Sequence, residues 1–151
     1  MATKDADISY NTNLASEYLM MSLLCRAGKE AYLSLGNKKG VDIIVKTKQG
    51  SICVVEVKGV NKRNDWLISN NGRFPASDNL FYALICFNDK IGELTTSPDF
   101  WLIPSTLLAL EGQHKIASTG KTVFLSNKFI RENYQNYKNT FEFLEEYLIE
   151  N

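Results

Sequence analysis

The sequence has very few of the residues that build zinc and disulfide sites. It contains one histidine, His114, and three widely separated cysteines, Cys25, Cys53 and Cys86. No two cysteines have the CxxC spacing of a zinc site, and an odd number of cysteines within apolar runs is typical of a reducing compartment. We therefore expect reduced cysteines and no metal–thiolate chemistry.

Long apolar segments are also missing. No run approaches the roughly 20 apolar residues that a membrane span needs. The polar residues 1–7 do not form the apolar segment of a signal peptide. We expect no membrane association and a cytoplasmic location.

The chain has no excess of either charge. It carries 17 basic and 17 acidic residues among 151, so any binding of nucleic acid would depend on a local basic patch. The hydrophobic fraction of 44% and the charged fraction of 23% are ordinary for a soluble globular protein. No repeat, low-complexity tract or linker is evident, and we expect residues 1–151 to form one domain.

The most informative stretch runs from Gly40 to Gly59. Apolar residues alternate along 41–46 and again along 52–58, with a polar turn between them. This pattern predicts a β-hairpin. Because side chains alternate along a strand, Glu56 and Lys58 are predicted to share one face of the second strand.

Two carboxylates are predicted to face each other across this hairpin. A turn centred on residues 48–50 sets Ile44 opposite Val54 and Asp42 opposite Glu56, with Cβ atoms roughly 5 Å apart. Such a pair is tolerable when a cation lies between its members, and hard oxygen ligands suit Mg²⁺ or Mn²⁺. We expect Asp42 and Glu56 to be ligands, with the backbone carbonyl of Val57 as a third.

A third carboxylate is predicted on the preceding helix. Asn13 is a candidate cap for a helix over residues 14–27, which Gly28 would end. Glu17 lies at the middle of the apolar stripe of that helix, which suggests that it reaches the metal directly or through water. The alternative is that Glu17 lies in the first turn and only stabilises the helix dipole.

The residues after the hairpin are polar and basic. Lys62, Arg63 and Arg73, together with Lys58, outnumber the single acid between residues 58 and 73. We expect this stretch to contact a phosphate backbone. The alternative is an ordinary solvated loop around a short strand at residues 66–68.

The second half of the chain predicts further strands and helices. The apolar run 79–87 indicates a strand buried on both faces, so helices should cover both sides of the sheet. Shorter strands are expected at 100–103 and 121–125, with a helix between them that Ser105 caps. A long amphipathic helix is expected over 127–149, with its apolar face in the core or in a dimer.

The hairpin resembles a known family. Val41-Asp42, thirteen further residues and then Glu56-Val57-Lys58, preceded by a helix with Glu17, is similar to the PD-(D/E)xK, restriction-endonuclease-like nuclease superfamily. The resemblance implies an α/β fold with a mixed central sheet and an α-β-β-β-α-β core. It also implies Mg²⁺, DNA as substrate, a possible homodimer, and catalytic roles for the residues that match the motif. These residues are Asp42, Glu56, Lys58 and Glu17.

Two functions fit these observations. The first is a metal-dependent endodeoxyribonuclease, a hydrolase in which Lys58 stabilises negative charge while the metal activates water. The second is a catalytically silent subunit with a nuclease fold that binds nucleic acid or a protein. A third, purely structural possibility is a domain that dimerises through the C-terminal helix.

Overall fold

The structure is a computed structural model that describes residues 4–34 and 40–151, with side chains from Ile8 onward. It contains a central five-stranded sheet in the order β1-β2-β3-β5-β6. The strands are β1 (Ala31–Leu33), β2 (Ile43–Lys46), β3 (Ile52–Val60), β5 (Leu80–Cys86) and β6 (Asp99–Pro104). Strands β3 and β5 are parallel and the other neighbours are antiparallel, so the sheet is mixed.

The predicted hairpin is present with the predicted register. Strands β2 and β3 pair Ile44 with Val54, and the last paired residue on the β2 side is Ile43, opposite Val55. Asp42 therefore lies one residue before the paired segment. The fold class, a mixed central sheet flanked by helices, is confirmed.

A second, smaller sheet covers part of the central sheet. It has the order β4-β8-β7 and consists of β4 (Trp66–Ser69), β7 (Lys115–Ile116) and β8 (Val123–Leu125). Strand β4 lies in the crossover between the parallel strands β3 and β5, where the expected core order has a helix. The crossover thus adds a strand to a separate layer.

The first helix, α1 (Lys4–Arg26), is much longer than predicted. Asn13 lies in its interior, so the prediction of an Asn13 cap is wrong. The predicted end is confirmed: Gly28 has a φ of 74°, and the N–H of Lys29 donates to the carbonyl of Leu24 at 3.0 Å. This is the glycine-terminated geometry that satisfies the last carbonyls of a helix. Because Glu17 is far from the first turn, the dipole explanation for it no longer applies.

The buried face of α1 is also rotated from the predicted one. Leu14, predicted to be buried, is 37% exposed, whereas Thr12 and Ser16 are buried together with Met20 and Leu24. The hydrophobic pattern misplaced this face because two of its residues are small and polar. Glu17 therefore lies at the flank of the buried face and is only partly buried.

Two apolar cores lie on opposite faces of the central sheet. One contains Met20 and Leu24 of α1 and Leu144 and Leu148 of α4 (Glu142–Glu150). The other is closed by the second sheet and by helices α2 (Ser105–Leu108) and α3 (Asn127–Asn133). All residues of β5 are buried, which confirms the prediction of a strand covered on both faces.

The prediction of one long helix over residues 127–149 is wrong. Helix α3 is followed by a short 3-10 turn (Gln135–Tyr137) and then by α4. The chain turns at Asn139, which has a φ of 55° and exchanges two hydrogen bonds with the backbone of Phe100 on β6. Ile130 of α3 and Leu144 and Leu148 of α4 are buried in the two cores, whereas Ile149 is exposed.

Ser105 does not cap α2 as predicted. Pro104 is the residue before this helix, and the Ser105 hydroxyl instead donates to the carbonyl of Ser77 at 2.9 Å. No helix among the described residues is long and apolar enough to cross a membrane.

Candidate active site

An open cavity of about 770 Å³ lies beside the middle of β3, next to the segment that precedes β2. Residues from α1, from the segment before β2, from β3 and from the end of β4 meet there. The charged and polar side chains that line it are Asn13, Glu17, Asp42, Glu56, Lys58, Ser69, Asn70 and Asn71. The four predicted catalytic residues therefore line one cavity.

Asp42 takes the place of a strand residue at the edge of β3. Its Oδ2 atom accepts a hydrogen bond of 2.6 Å from the N–H of Val57. The N–H and C=O groups of one strand residue point to the same edge, so the Val57 carbonyl faces the side on which Asp42 lies. Val57 also lines the cavity. The Val57 carbonyl, which is the predicted backbone ligand, therefore lies on the same side of β3 as the Asp42 carboxylate.

Glu56 and Lys58 form an ion pair on the face of β3 that meets the cavity. Their Oε1 and Nζ atoms are 2.8 Å apart, and their side chains are 10% and 26% exposed. This contact confirms that the two residues share a face. The second oxygen of Glu56, Oε2, lies 3.7 Å from the place where a side chain on Gly40 would begin, so Gly40 borders the carboxylate.

The charges around Asp42 are not balanced. The pKa of Asp42 is raised, first by burial and then by the Glu56 carboxylate, against the opposing effects of the Val57 N–H and the Lys58 ammonium. The pKa of Glu17 is raised by partial burial and by the charge of Asp42. Ionisation is thus disfavoured at Asp42 by Glu56 and at Glu17 by Asp42, and a bound cation would relieve both effects.

These donors fit a hard divalent cation. The Asp42 and Glu56 carboxylates and the Val57 carbonyl are oxygen ligands of the kind that Mg²⁺ and Mn²⁺ prefer. Within the described residues, no group of three or more His, Cys, Asp or Glu side chains lies close enough to hold one metal ion. Glu17 therefore lines the cavity without completing a set of three carboxylates on one ion.

The sequence pattern missed the residue that lies beside Glu56 on β5. Tyr82 is paired with Glu56 across the parallel strands and is fully buried. Its pKa is raised well above the usual range, first by burial and then by the charge of Glu56. Its hydroxyl donates to the carbonyl of Pro75 at 2.9 Å. Only the register of β3 with β5 could have placed it there.

The opposite wall of the cavity was also missed. Asn13, Ser69, Asn70 and Asn71 present amide and hydroxyl groups to the same space as the acids. The Asn-Asn-Gly sequence is a turn signal, but no local signal places that turn beside the hairpin.

The predicted phosphate-contacting residues lie on two different loops, before and after β4. Lys62 and Arg63 are exposed in the loop after β3, and the Nε of Arg63 donates to Asn88 at 3.1 Å. Arg73 is exposed in the turn after β4. The intervening strand at Trp66–Ser69 separates the first two from the third, in agreement with the strand expected at 66–68.

Comparison with known proteins identifies the fold. No protein-family model matches the chain, and no curated protein matches it. Among solved structures the chain is similar to a bacterial homing endonuclease, I-Ssp6803I, with a TM-score of 0.53 and 12% sequence identity. The match covers 91% of this chain and 92% of that one. At this low identity the likeness concerns the fold, which is therefore that of a known endonuclease.

Proposed function

We propose that this protein is a divalent-metal-dependent endonuclease that hydrolyses DNA, with a site of the PD-(D/E)xK type. The observation that carries the proposal is the Glu56–Lys58 ion pair beside Asp42, at 2.8 Å, in an open cavity at the edge of β3. The fold shared with I-Ssp6803I supports it, because that protein is a homing endonuclease.

Each acid has a distinct part in this proposal. Asp42, held by the Val57 N–H, and Glu56, held by Lys58, would bind Mg²⁺ or Mn²⁺ together with the Val57 carbonyl. Glu17, on the flank of α1, would act as an outer ligand through water. When bound, the ion supplies positive charge against the phosphate and the acidity that activates water.

Lys58 would stabilise the charge that develops on the phosphate. Its ammonium is only partly exposed, and a partly buried cation acts more strongly on a nearby anion than one in bulk water. With the Glu56 carboxylate engaged by a bound cation, the Lys58 ammonium would be free to approach the scissile phosphate. DNA is the proposed substrate, with a homodimer and a cytoplasmic location as further parts of the proposal.

Cleavage of supercoiled plasmid, branched DNA and single-stranded DNA in Mg²⁺ or Mn²⁺ tests the proposal. We expect cutting by the wild type and a fall of roughly a hundredfold or more in Glu56→Gln and in Lys58→Ala. A matched control is Glu30→Gln with Lys46→Ala, which removes an exposed ion pair from the same sheet (3.7 Å) and should leave cleavage unchanged. Absence of cleavage, or cleavage that survives both site variants, would contradict the proposal.

A silent binding subunit is the second candidate, and the zero net charge favours it because nucleases that bind DNA strongly usually carry a basic excess. It requires no metal. A rise in thermal stability with Mg²⁺ that is lost in Asp42→Ala would count against this candidate.

A further inference from the structure

The second sheet has an unusual charge distribution in a protein of zero net charge. Residues 66–73 and 114–125, which include its three strands, the turn after β4 and the turn between β7 and β8, contain Arg73, Lys115 and Lys121 but no aspartate or glutamate. The remaining chain therefore carries the excess of acids. Three cations without a neighbouring acid in sequence are a local positive surface of the kind that attracts a polyanion.

The outer face of this sheet is open to solvent. Along β4 the burial alternates, with Trp66 and Ile68 buried and Leu67 50% exposed. Leu67 is paired with Phe124 of β8, and Phe124 is paired with Lys115 of β7. These three residues form a row across the outer face, with the cation at its end.

The sheet is also joined rigidly to the wall of the cavity. The turn after β4 carries Ser69, Asn70 and Asn71, which line the cavity. Its Gly72 donates an N–H···O hydrogen bond of 2.7 Å to the carbonyl of Lys121, at the tip of the β7–β8 hairpin. A side chain at Gly72 would begin 2.4 Å from the carbonyl oxygen of Gly120, so the two turns are in close contact.

We propose that the outer face of the second sheet docks duplex DNA and directs its backbone into the cavity. This inference rests on the proposed function and adds Lys115 and Lys121, which the sequence pattern did not identify, to the predicted phosphate contact Arg73. Duplex DNA is the occupant that fits this surface, because its phosphate backbone is anionic and residues 66–73 and 114–125 carry three cations and no acid. Lys115 and Lys121 contact phosphates on the sheet, while Arg73 contacts the backbone between the sheet and the cavity.

Binding to a short fluorescein-labelled duplex of mixed sequence, measured by anisotropy in EDTA at several salt concentrations, tests this surface without cleavage. The double variant Lys115→Ala/Lys121→Ala is expected to bind roughly tenfold more weakly at low salt. The slope of log affinity against log salt should fall by about 0.9 for each lost phosphate contact. Arg73→Ala should change affinity and slope in the same direction.

The matched control is Lys46→Ala/Lys48→Ala. It removes the same charge from exposed positions at the far end of the β2–β3 hairpin, away from Asp42 and Glu56. We expect wild-type affinity and slope from it, and an unchanged thermal midpoint from all variants.

The docking proposal is overturned if the wild type does not bind the duplex, or if the sheet variants and the control variant behave alike. A separate plasmid assay in Mg²⁺ distinguishes the two proposals. Cutting that does not depend on the sheet lysines contradicts the docking surface alone. Binding that depends on them without any cutting contradicts the nuclease activity alone.

Discussion

Asp42 is the residue at which stability and proposed function conflict most directly. It is partly buried beside another carboxylate, and only one backbone N–H and the neighbouring Lys58 offset that cost. If this position served packing alone, asparagine, which has the same shape as aspartate but no charge, would give a more stable protein. The unfavourable charge is therefore the strongest single sign that this position binds a cation.

This conflict predicts the behaviour of Asp42→Asn. The amide oxygen can still accept the Val57 N–H, but the repulsion with Glu56 is removed, so the variant should be more stable than the wild type without metal. Added Mg²⁺ should stabilise only the wild type, by about 2.7 kcal/mol at a hundredfold excess over Kd. Thermal unfolding with and without Mg²⁺ measures both effects, and equal metal responses would contradict the assignment of Asp42 as a ligand.

A second residue, Asp99, has the opposite electrostatic character. Burial alone would raise its pKa, but the Asn88 amide, the Arg131 guanidinium and the Lys138 ammonium outweigh burial, and its pKa is lowered. Asp99 accepts from Asn88 at 2.9 Å and from Arg131 at 3.1 Å. These contacts join α3 to the end of β5 and the start of β6.

The sign of this shift sets the pH dependence of stability. Because the folded pKa of Asp99 lies below the unfolded one, its contribution is present above about pH 4 and is lost as the pH falls through the lowered value. We expect Asp99→Asn to destabilise the protein at neutral pH and to unfold like the wild type in acid. Urea unfolding at several pH values measures the difference, and a difference that stays constant with pH would contradict this account.

At the scale of elements, the packing of α1 on β3 decides where Glu17 lies. The two elements approach closely at Gly59, where a side chain would begin 1.9 Å from Oγ of Ser16 and 2.7 Å from its Cβ. The Ser16 hydroxyl donates to the carbonyl of Thr12 at 2.7 Å, so this small polar residue is satisfied within its own helix. A small helix residue against a strand glycine thus brings the helix close to the cavity.

Gly59→Ala should push α1 away from β3. We expect the free energy of unfolding to fall by about 1 to 3 kcal/mol, as for overpacked cores, and cleavage to fall with it as Glu17 moves. Gly92→Ala is the control, because nothing lies within 4 Å of the added carbon there.

A second substitution tests whether crowding causes the effect. Ser16→Gly removes the atoms nearest to the new side chain at a helix-propensity cost of about 1 kcal/mol. The double variant Ser16→Gly/Gly59→Ala should be more stable than the sum of the single effects predicts. Additive losses in urea unfolding would show that crowding is not the cause.

At the scale of the whole molecule, the cavity beside β3 contains a single Glu56–Lys58 pair. One such site acts on one phosphodiester at a time, so cutting both strands calls for two copies. We expect nicked circles to appear first from supercoiled plasmid and linear product to rise with protein concentration. Gel analysis of a concentration series measures this, and linear product formed without a nicked intermediate at low concentration would contradict it.

The C-terminal helices are needed for the fold, so deleting them is not a suitable test of dimerisation. Ile130, Leu144 and Leu148 are buried in the two cores of the domain. Removing the residues after Asn127 would expose both cores, so the mass of such a truncated chain would not report on dimerisation. The mass of the full chain in solution is the appropriate measurement.

Much of the candidate site could be predicted from local patterns. The alternation along residues 41–58 predicts the hairpin, its register and the shared face of Glu56 and Lys58, because side chains in a strand alternate with a period of two. Gly28 marks the end of α1 because it adopts a positive φ there. These features depend on residues close together in sequence.

The rest was decided by tertiary contacts between distant segments. Thr12 and Ser16 belong to the buried face of α1 where Gly59 lies opposite. The predicted long helix is interrupted between Asn133 and Glu142, in the segment where Asn139 pairs with Phe100. Tyr82 reaches Glu56 only through the parallel pairing of β3 with β5. By itself the sequence determined which residues are proposed to carry the chemistry, since local periodicity sets the face of each strand. The tertiary structure alone decided which other groups surround them, since that depends on packing between elements.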